Sequence, residues 1–206
     1  MQVQGSSCRR PKEVSEFCLP QGIIDSNSSW KSQVSYVAIK RNIGIRSKLR
    51  YYVNSDILVK LYYASIYPFL TYDLISWGNT YSSTTYPLFI LQKSAIRVMT
   101  FPKFHDHSSP IFKHLNIVKL PDLVFLNIAD YMYKFYSRRL PSVFDAFFTQ
   151  VSKRHNHDTR NASNMFCTLP KVRTNYGMFN VRFKCPKVWN SISENLRTFS
   201  ISNFKE

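Results

Sequence analysis

The stretch Ser55-Asp56-Ile57-Leu58-Val59-Lys60-Leu61-Tyr62-Tyr63-Ala64-Ser65-Ile66-Tyr67-Pro68 decides the fold. Ser55 and Asp56 offer side-chain oxygens to the free backbone N–H groups of a helix start. Ile57 to Tyr67 is apolar nearly all round, the pattern of a helix enclosed on several sides, and Pro68 kinks or ends it. Such a helix needs other helices around it, and a mainly α chain follows.

The flanking sequence supplies those helices. Upstream, Trp30, Val34, Val37, Ala38, Ile45 and Leu49 share one side of a helical wheel. Ile39 and Ile43 fall opposite, Arg41 intrudes, and a break near Gly44 relieves the conflict. Downstream, Gly78-Asn79 and the run Ser82 to Thr85 read as a turn or loop, and Pro87 as the first-turn proline of a helix from Leu88 to Thr100. Its apolar face is Leu88, Leu91, Ala95, Val98 and Met99, with Lys93 and Arg97 on the other. Pro121-Asp122 opens a helix from Leu123 to Tyr136 whose polar strip is only Asn127, Asp130 and Lys134.

Past residue 150 the chain is polar and loop-rich. The alternation Phe179-Asn180-Val181-Arg182-Phe183 predicts a short strand, Val188 to Leu196 a short helix after Pro186, and Ser202 a further cap. The expected architecture is a helical bundle followed by a smaller helical and loop-rich C-terminal unit with at most a short β-hairpin or strand. Residues 1–21 show no periodicity and read as an unstructured leader.

The 206 residues are 44% hydrophobic and 16% aromatic, enough to bury a core without disulfide or metal staples. Lys and Arg number 28 against 12 Asp and Glu, and the net charge of +16 calls for a polyanionic partner. The excess sits at the two ends, around a nearly balanced middle. Cys8, Cys18, Cys167 and Cys185 are widely spaced and the N-terminus lacks an apolar signal segment, so an intracellular, non-secreted location, nucleus or cytoplasm, is expected. The longest charge-free apolar piece, Leu61 to Tyr72, has 12 residues. A membrane span needs about 20, so no membrane partner is expected.

Several chemistries lack their residues. The acidic residues include no adjacent pair of the kind that bridges two catalytic metals. The cysteines and histidines lack zinc spacings, and His105-Asp106-His107 and His155-Asn156-His157 read as solvated loops. Cys167 with His155 or His157 can be drawn as nucleophile and base, but nothing orients the pair. The five glycines stand singly, without a phosphate loop. No catalytic residue, metal site or cofactor is expected.

Binding residues are present. Lys40, Arg41, Arg46, Lys48 and Arg50 lie beside Tyr51-Tyr52, a mixture suited to phosphate contact and base stacking. A second, denser set is Arg154, His155, His157, Arg160, Lys171, Arg173, Tyr176, Arg182, Lys184 and Lys187. From these, Arg46, Lys48, Arg50, Lys93, Arg97, Arg160, Lys171, Arg173 and Arg182 are the candidate nucleic-acid contacts. A solvated helix face with core tyrosines is the competing reading of the first cluster.

Three phrases are more specific. Ile66-Tyr67-Pro68-Phe69-Leu70-Thr71-Tyr72, Ile75-Ser76-Trp77-Gly78-Asn79-Thr80 and Leu91-Gln92-Lys93-Ser94-Ala95-Ile96-Arg97 resemble the region just after the palm in jockey-like non-LTR retrotransposon reverse transcriptases. The resemblance continues through Leu115-Asn116-Ile117, His155 to Arg160, Leu169 to Gly177 and Pro186-Lys187-Val188-Trp189-Asn190-Ser191-Ile192, in that family's order. It covers about Gly22 to the end.

The resemblance implies that residues 22–29 are a remnant of the last palm strand, that residues 30–104 form the helical thumb, and that residues 105–206 form the element's C-terminal region. It implies contact with RNA or an RNA–DNA hybrid through backbone phosphates, and docking on a polymerase palm in the parent protein. The family's paired catalytic aspartates lie upstream of the matched region, as does its endonuclease, so a non-catalytic fragment is expected. The leader departs from the family, Val37 to Asn42 is about two residues short, Arg46 replaces an apolar residue, and the chain stops at Phe204-Lys205-Glu206 where the family continues into a basic helix. A protein-docking piece and a translated relic without function are the alternatives.

Overall fold

The computed structural model describes residues 16–19, 22–25, 30–40, 51–100, 107–153, 165–193 and 196–197. Among them the chain is mainly helical. Two short strands, β1 (Glu16–Leu19) and β2 (Gly22–Asp25), pair antiparallel with Glu16 opposite Asp25. Glu16–Leu19 falls in the expected unstructured leader and is instead hydrogen-bonded strand. It completes a partner for Gly22–Asp25, whose Ile23 N–H is also taken by the buried side chain of Gln33 at 2.7 Å.

Among the described residues nine helices follow: α1 (Lys31–Lys40), α2 (Ser55–Ser65), α3 (Tyr67–Thr71), α4 (Leu74–Trp77), α5 (Ser82–Thr100), α6 (Ser108–His114), α7 (Leu120–Tyr136), α8 (Asn175–Phe179) and α9 (Val181–Ser191). Of the expected helix beyond Trp30, the part after Lys40 lies outside the described residues, as does Ser202.

α2 begins at Ser55, two residues before the expected Ile57. Asn54 is the cap, its Oδ1 accepting the Ser55 N–H at 2.6 Å, and Asp56 sits in the first turn where a negative charge is favoured. The helix is not enclosed on all sides. Leu58 and Tyr62 are buried one turn apart, while Ile57 and Tyr63 on its flank remain exposed. Pro68 neither kinks α2 nor lies inside it: α2 has ended, and Pro68 takes an early position in α3, where its missing N–H costs no helical bond.

Pro87 and Pro186 depart from expectation in a common way. Pro87 is the sixth residue of α5, and Pro186 the sixth of α9. Each helix starts upstream on its own caps. The Thr84 and Thr85 N–H groups donate to the Tyr81 carbonyl at 2.9 and 3.3 Å, so the Ser/Thr run is helix rather than loop. Asn180 Oδ1 accepts the Arg182 N–H at 2.9 Å and opens α9. The predicted strand at Phe179–Phe183 is therefore the end of α8, a capping residue and the start of α9. α9 is also shifted: it spans Val181–Ser191 rather than starting at Val188.

The core has two clusters. The first joins Val34 and Val37 of α1, Leu58 and Tyr62 of α2, Leu70, Trp77, Leu88 and Ile96, and extends through Phe112 to Leu120 and Leu123. The second joins Ile128, Ala129 and Met132 of α7 to Phe148, Cys167, and Cys185, Val188 and Trp189 of α9. The clusters divide within α7, where α6 and the start of α7 close over α5. α7 leaves Phe125 and Leu126 exposed beside its expected polar strip, where Lys134 pairs with Asp130 at 2.8 Å.

The fully buried residues of α5 are Leu88, Gln92, Ala95, Ile96 and Met99, and the expected Leu91 and Val98 are only half-buried beside them. Gln92 is the polar member of this face. Its Nε2 donates to the Tyr62 hydroxyl and to the Val118 carbonyl, both at 2.9 Å, and its Oε1 accepts the Leu120 N–H at 2.8 Å. Every polar atom of the amide finds a partner.

Candidate nucleic-acid interface

The expected contacts divide into three groups. Arg46, Lys48, Arg50 and Arg160 lie outside the described residues. Lys93 and Arg97 share one side of α5, both half-buried, with the Lys93 ammonium 4.3 Å from the centre of the Phe89 ring. Lys171, Arg173 and Arg182 are exposed.

Lys171 and Arg182 meet in one groove of about 390 Å³, whose other lining residues are Phe147, Thr149, Thr168, Leu169 and Pro170. Three local arrangements position them. Gln150 and Cys167 form an antiparallel bridge, with Val151 N–H donating to Phe166 O at 3.0 Å and Thr168 N–H to Thr149 O at 2.9 Å. That bridge sets both threonines beside the segment leading to Lys171. The Asn180 cap fixes the first turn of α9, and the Arg182 guanidinium lies 4.4 Å from the centre of the Phe147 ring. An arginine stacked on an aromatic face keeps its donors free at its edge for phosphate oxygens. Among the described residues, no carboxylate lines this groove.

Arg182 also borders a larger cleft of about 670 Å³ with Trp30, Tyr176, Phe179 and Asn180, and with the acid Asp73. The Tyr176 ring is exposed and meets Tyr81 edge-on at 6.4 Å. Cationic and aromatic side chains thus adjoin across Arg182, a combination that can hold phosphates and stack bases.

The described members of the second basic set do not all line one cavity. Lys184 lies two residues beyond Arg182, a rotation of about 200° along a helix, and lines a different cavity. Lys187 is exposed, with its ammonium 5.8 Å from the Phe183 ring centre. Arg197 is buried, its Nε–H donating to the Ile192 carbonyl at 3.0 Å. Phe147, Thr149 and Thr168 were not legible as groove residues, because the groove joins segments far apart in sequence and no local pattern reports such a meeting.

Cys167 belongs to the core. Its backbone N–H donates to Asn190 Oδ1 at 3.0 Å and its carbonyl accepts from Asn190 Nδ2 at 2.9 Å. Burial pushes its thiol pKa up, against a smaller lowering effect of its hydrogen bond with the Tyr136 hydroxyl. Burial, and then the neighbouring Cys167, push Cys185 up to about 12. Thiols held protonated in this way are poor nucleophiles. His155 and His157 lie outside the described residues. Tyr136 stacks on Trp189 at 4.9 Å, and both side chains donate to the Met165 carbonyl.

Among the described residues, no three His, Cys, Asp or Glu side chains form a group that could hold a metal, and no helix is long and apolar enough to cross a membrane. No protein-family model, curated protein or solved structure matches the chain.

Proposed function

We propose that the chain is the thumb and C-terminal part of a jockey-like non-LTR retrotransposon reverse transcriptase, non-catalytic by itself. Its activity is sequence-independent binding of RNA or an RNA–DNA hybrid through backbone phosphates. The observation that carries this reading is the meeting of Lys171 and Arg182 in a groove that no described carboxylate lines, in a chain of net charge +16. The groove presents the Arg182 guanidinium and the Lys171 ammonium, donors suited to phosphate oxygens, while the Thr168 hydroxyl donates to the Thr149 carbonyl at 3.0 Å.

The helical character of the stretch resembling a thumb is consistent with a duplex-tracking element. Lys93, set against Phe89, has less freedom to follow a backbone than exposed Lys171. Charge reversal of Lys171 and Arg182 together therefore weakens hybrid binding more than reversal of Lys93 and Arg97, and lowers the salt slope by about one for each phosphate no longer neutralised. Equal effects of the two pairs would mean that the charge acts diffusely and that the groove is not a site.

A further inference from the structure

The cleft of about 670 Å³ shares Arg182 and Phe147 with the groove of Lys171, and its volume lies within the range of small-ligand sites. Trp30, Tyr176 and Phe179 give it aromatic walls. Tyr81 meets the Phe179 ring edge-on at 4.7 Å and the Tyr176 ring at 6.4 Å, which steadies that side, yet Tyr176 stays 60% exposed. A strand whose phosphates lie on Lys171 and Arg182 therefore has an open ring and a cavity beside it. Unpaired RNA bases splay from their strand and stack in such settings.

Asp73 selects the base. Among the described residues it supplies the one carboxylate that lines the cleft, and it is exposed, so a ligand reaches it. Its Oδ1 accepts the Ser76 hydroxyl at 2.7 Å, which orients the group, and no described cation pairs with it. A carboxylate accepts at both oxygens. Of the four RNA bases, guanine alone sets two neighbouring donors, N1–H and the N2 amine, on its Watson–Crick edge. Adenine and cytosine place a ring-nitrogen acceptor beside their single amino donor, and uracil flanks its N3–H with two carbonyls. Each of these three turns an acceptor toward the carboxylate, and guanine does not.

We infer that this cleft holds an unpaired guanine of a bound RNA strand: its phosphate lies on Arg182 and Lys171, its ring against Tyr176, and its Watson–Crick edge on Asp73. The inference rests on the proposed binding of RNA–DNA hybrids and adds a base preference outside the duplex. Inside a duplex that edge is already paired, so binding there stays independent of sequence.

The test compares a blunt RNA–DNA hybrid with hybrids carrying a short RNA extension, UUGU, UUAU, UUCU or UUUU, at the 5′ or the 3′ end. Fluorescence anisotropy with the full chain gives the affinities. In one polarity the guanine extension is expected to bind about tenfold more tightly than the other three. Inosine in its place, which lacks the N2 amine, loses about threefold. Asp73 has φ 48°, in the left-handed region that Asn tolerates, so Asp73→Asn is a matched variant. It removes the guanine preference and leaves the blunt hybrid bound at least as tightly. Free guanosine 5′-monophosphate is expected to bind far more weakly than the extended hybrid, because the duplex holds the base beside the cleft; equal or tighter binding overturns the assignment to a strand. Equal affinity for the four extensions with the blunt hybrid still bound, or a guanine preference that survives in Asp73→Asn, overturns the base site and spares the hybrid reading. Failure to bind even the blunt hybrid overturns both.

Discussion

Gln92 Oε1 accepts the N–H of Leu120 at 2.8 Å, so a side chain on α5 caps the first residue of α7. The first four N–H groups of a helix have no partner inside it. Here one of them is satisfied from 28 residues away, and the same amide holds Tyr62 of α2.

Gln92→Leu keeps the volume and removes the amide. The Leu120 N–H, the Val118 carbonyl and the Tyr62 hydroxyl then lose their common partner, and a loss of about 1–3 kcal/mol is expected, the cost of leaving one buried donor, the Leu120 N–H, without its acceptor. Urea unfolding followed by far-UV circular dichroism measures it. A variant as stable as the parent would show that Gln92 does not organise the junction.

Gly78, the residue just past α4, lies against Val124 of α7. A Cβ there would lie 2.9 Å from Val124 Cγ2, 2.8 Å from Leu74 Cδ1 and 2.5 Å from the Leu74 carbonyl oxygen. Gly78→Ala is expected to destabilise by about 1–3 kcal/mol through overpacking. Val124→Ala in the same chain should recover part of that loss, because it removes one of the colliding atoms. Additive losses in the double variant would contradict the packing account.

The buried thiols and phenols give the chain an alkaline weakness. Burial raises Cys185 from 9.0 to about 12 and Tyr131 from 10.0 to about 12. Between pH 9.0 and about 12 the unfolded chain has released the Cys185 proton and the folded chain still holds it. The folded state then binds more protons, so stability falls as pH rises through that window. The urea midpoint should hold steady up to about pH 9 and drop beyond it, and Cys185→Ala should blunt the drop. A midpoint that drops equally in that variant would assign the effect elsewhere.

Much of the fold was legible in the sequence, and the residues that misled have physical reasons. α7 could be read because Pro121, Asp122 and a long apolar run agree locally. The buried place of Gln92 on α5 was not legible, because it meets Tyr62, Val118 and Leu120, partners that no helical period reveals. Pro87 and Pro186 looked like helix starts, yet a proline in the sixth position removes only one backbone bond, and the caps at Tyr81 and Asn180 lie upstream. Phe179–Phe183 alternates like a strand because a one-residue cap separates two helices. For the interface, the types of residue were legible and their grouping was not. Lys171 and Arg182 line one groove with Phe147, whereas Lys184, close by in sequence, lines another cavity.

The most direct test is the affinity of the full chain for an RNA–DNA hybrid duplex, measured by fluorescence anisotropy across a salt series from about 50 to 200 mM. The account predicts saturable binding whose log affinity falls linearly with log salt, by about 0.9 for each phosphate neutralised, with little dependence on duplex sequence. Affinity that does not change with salt, or no binding at the lowest salt, would contradict it.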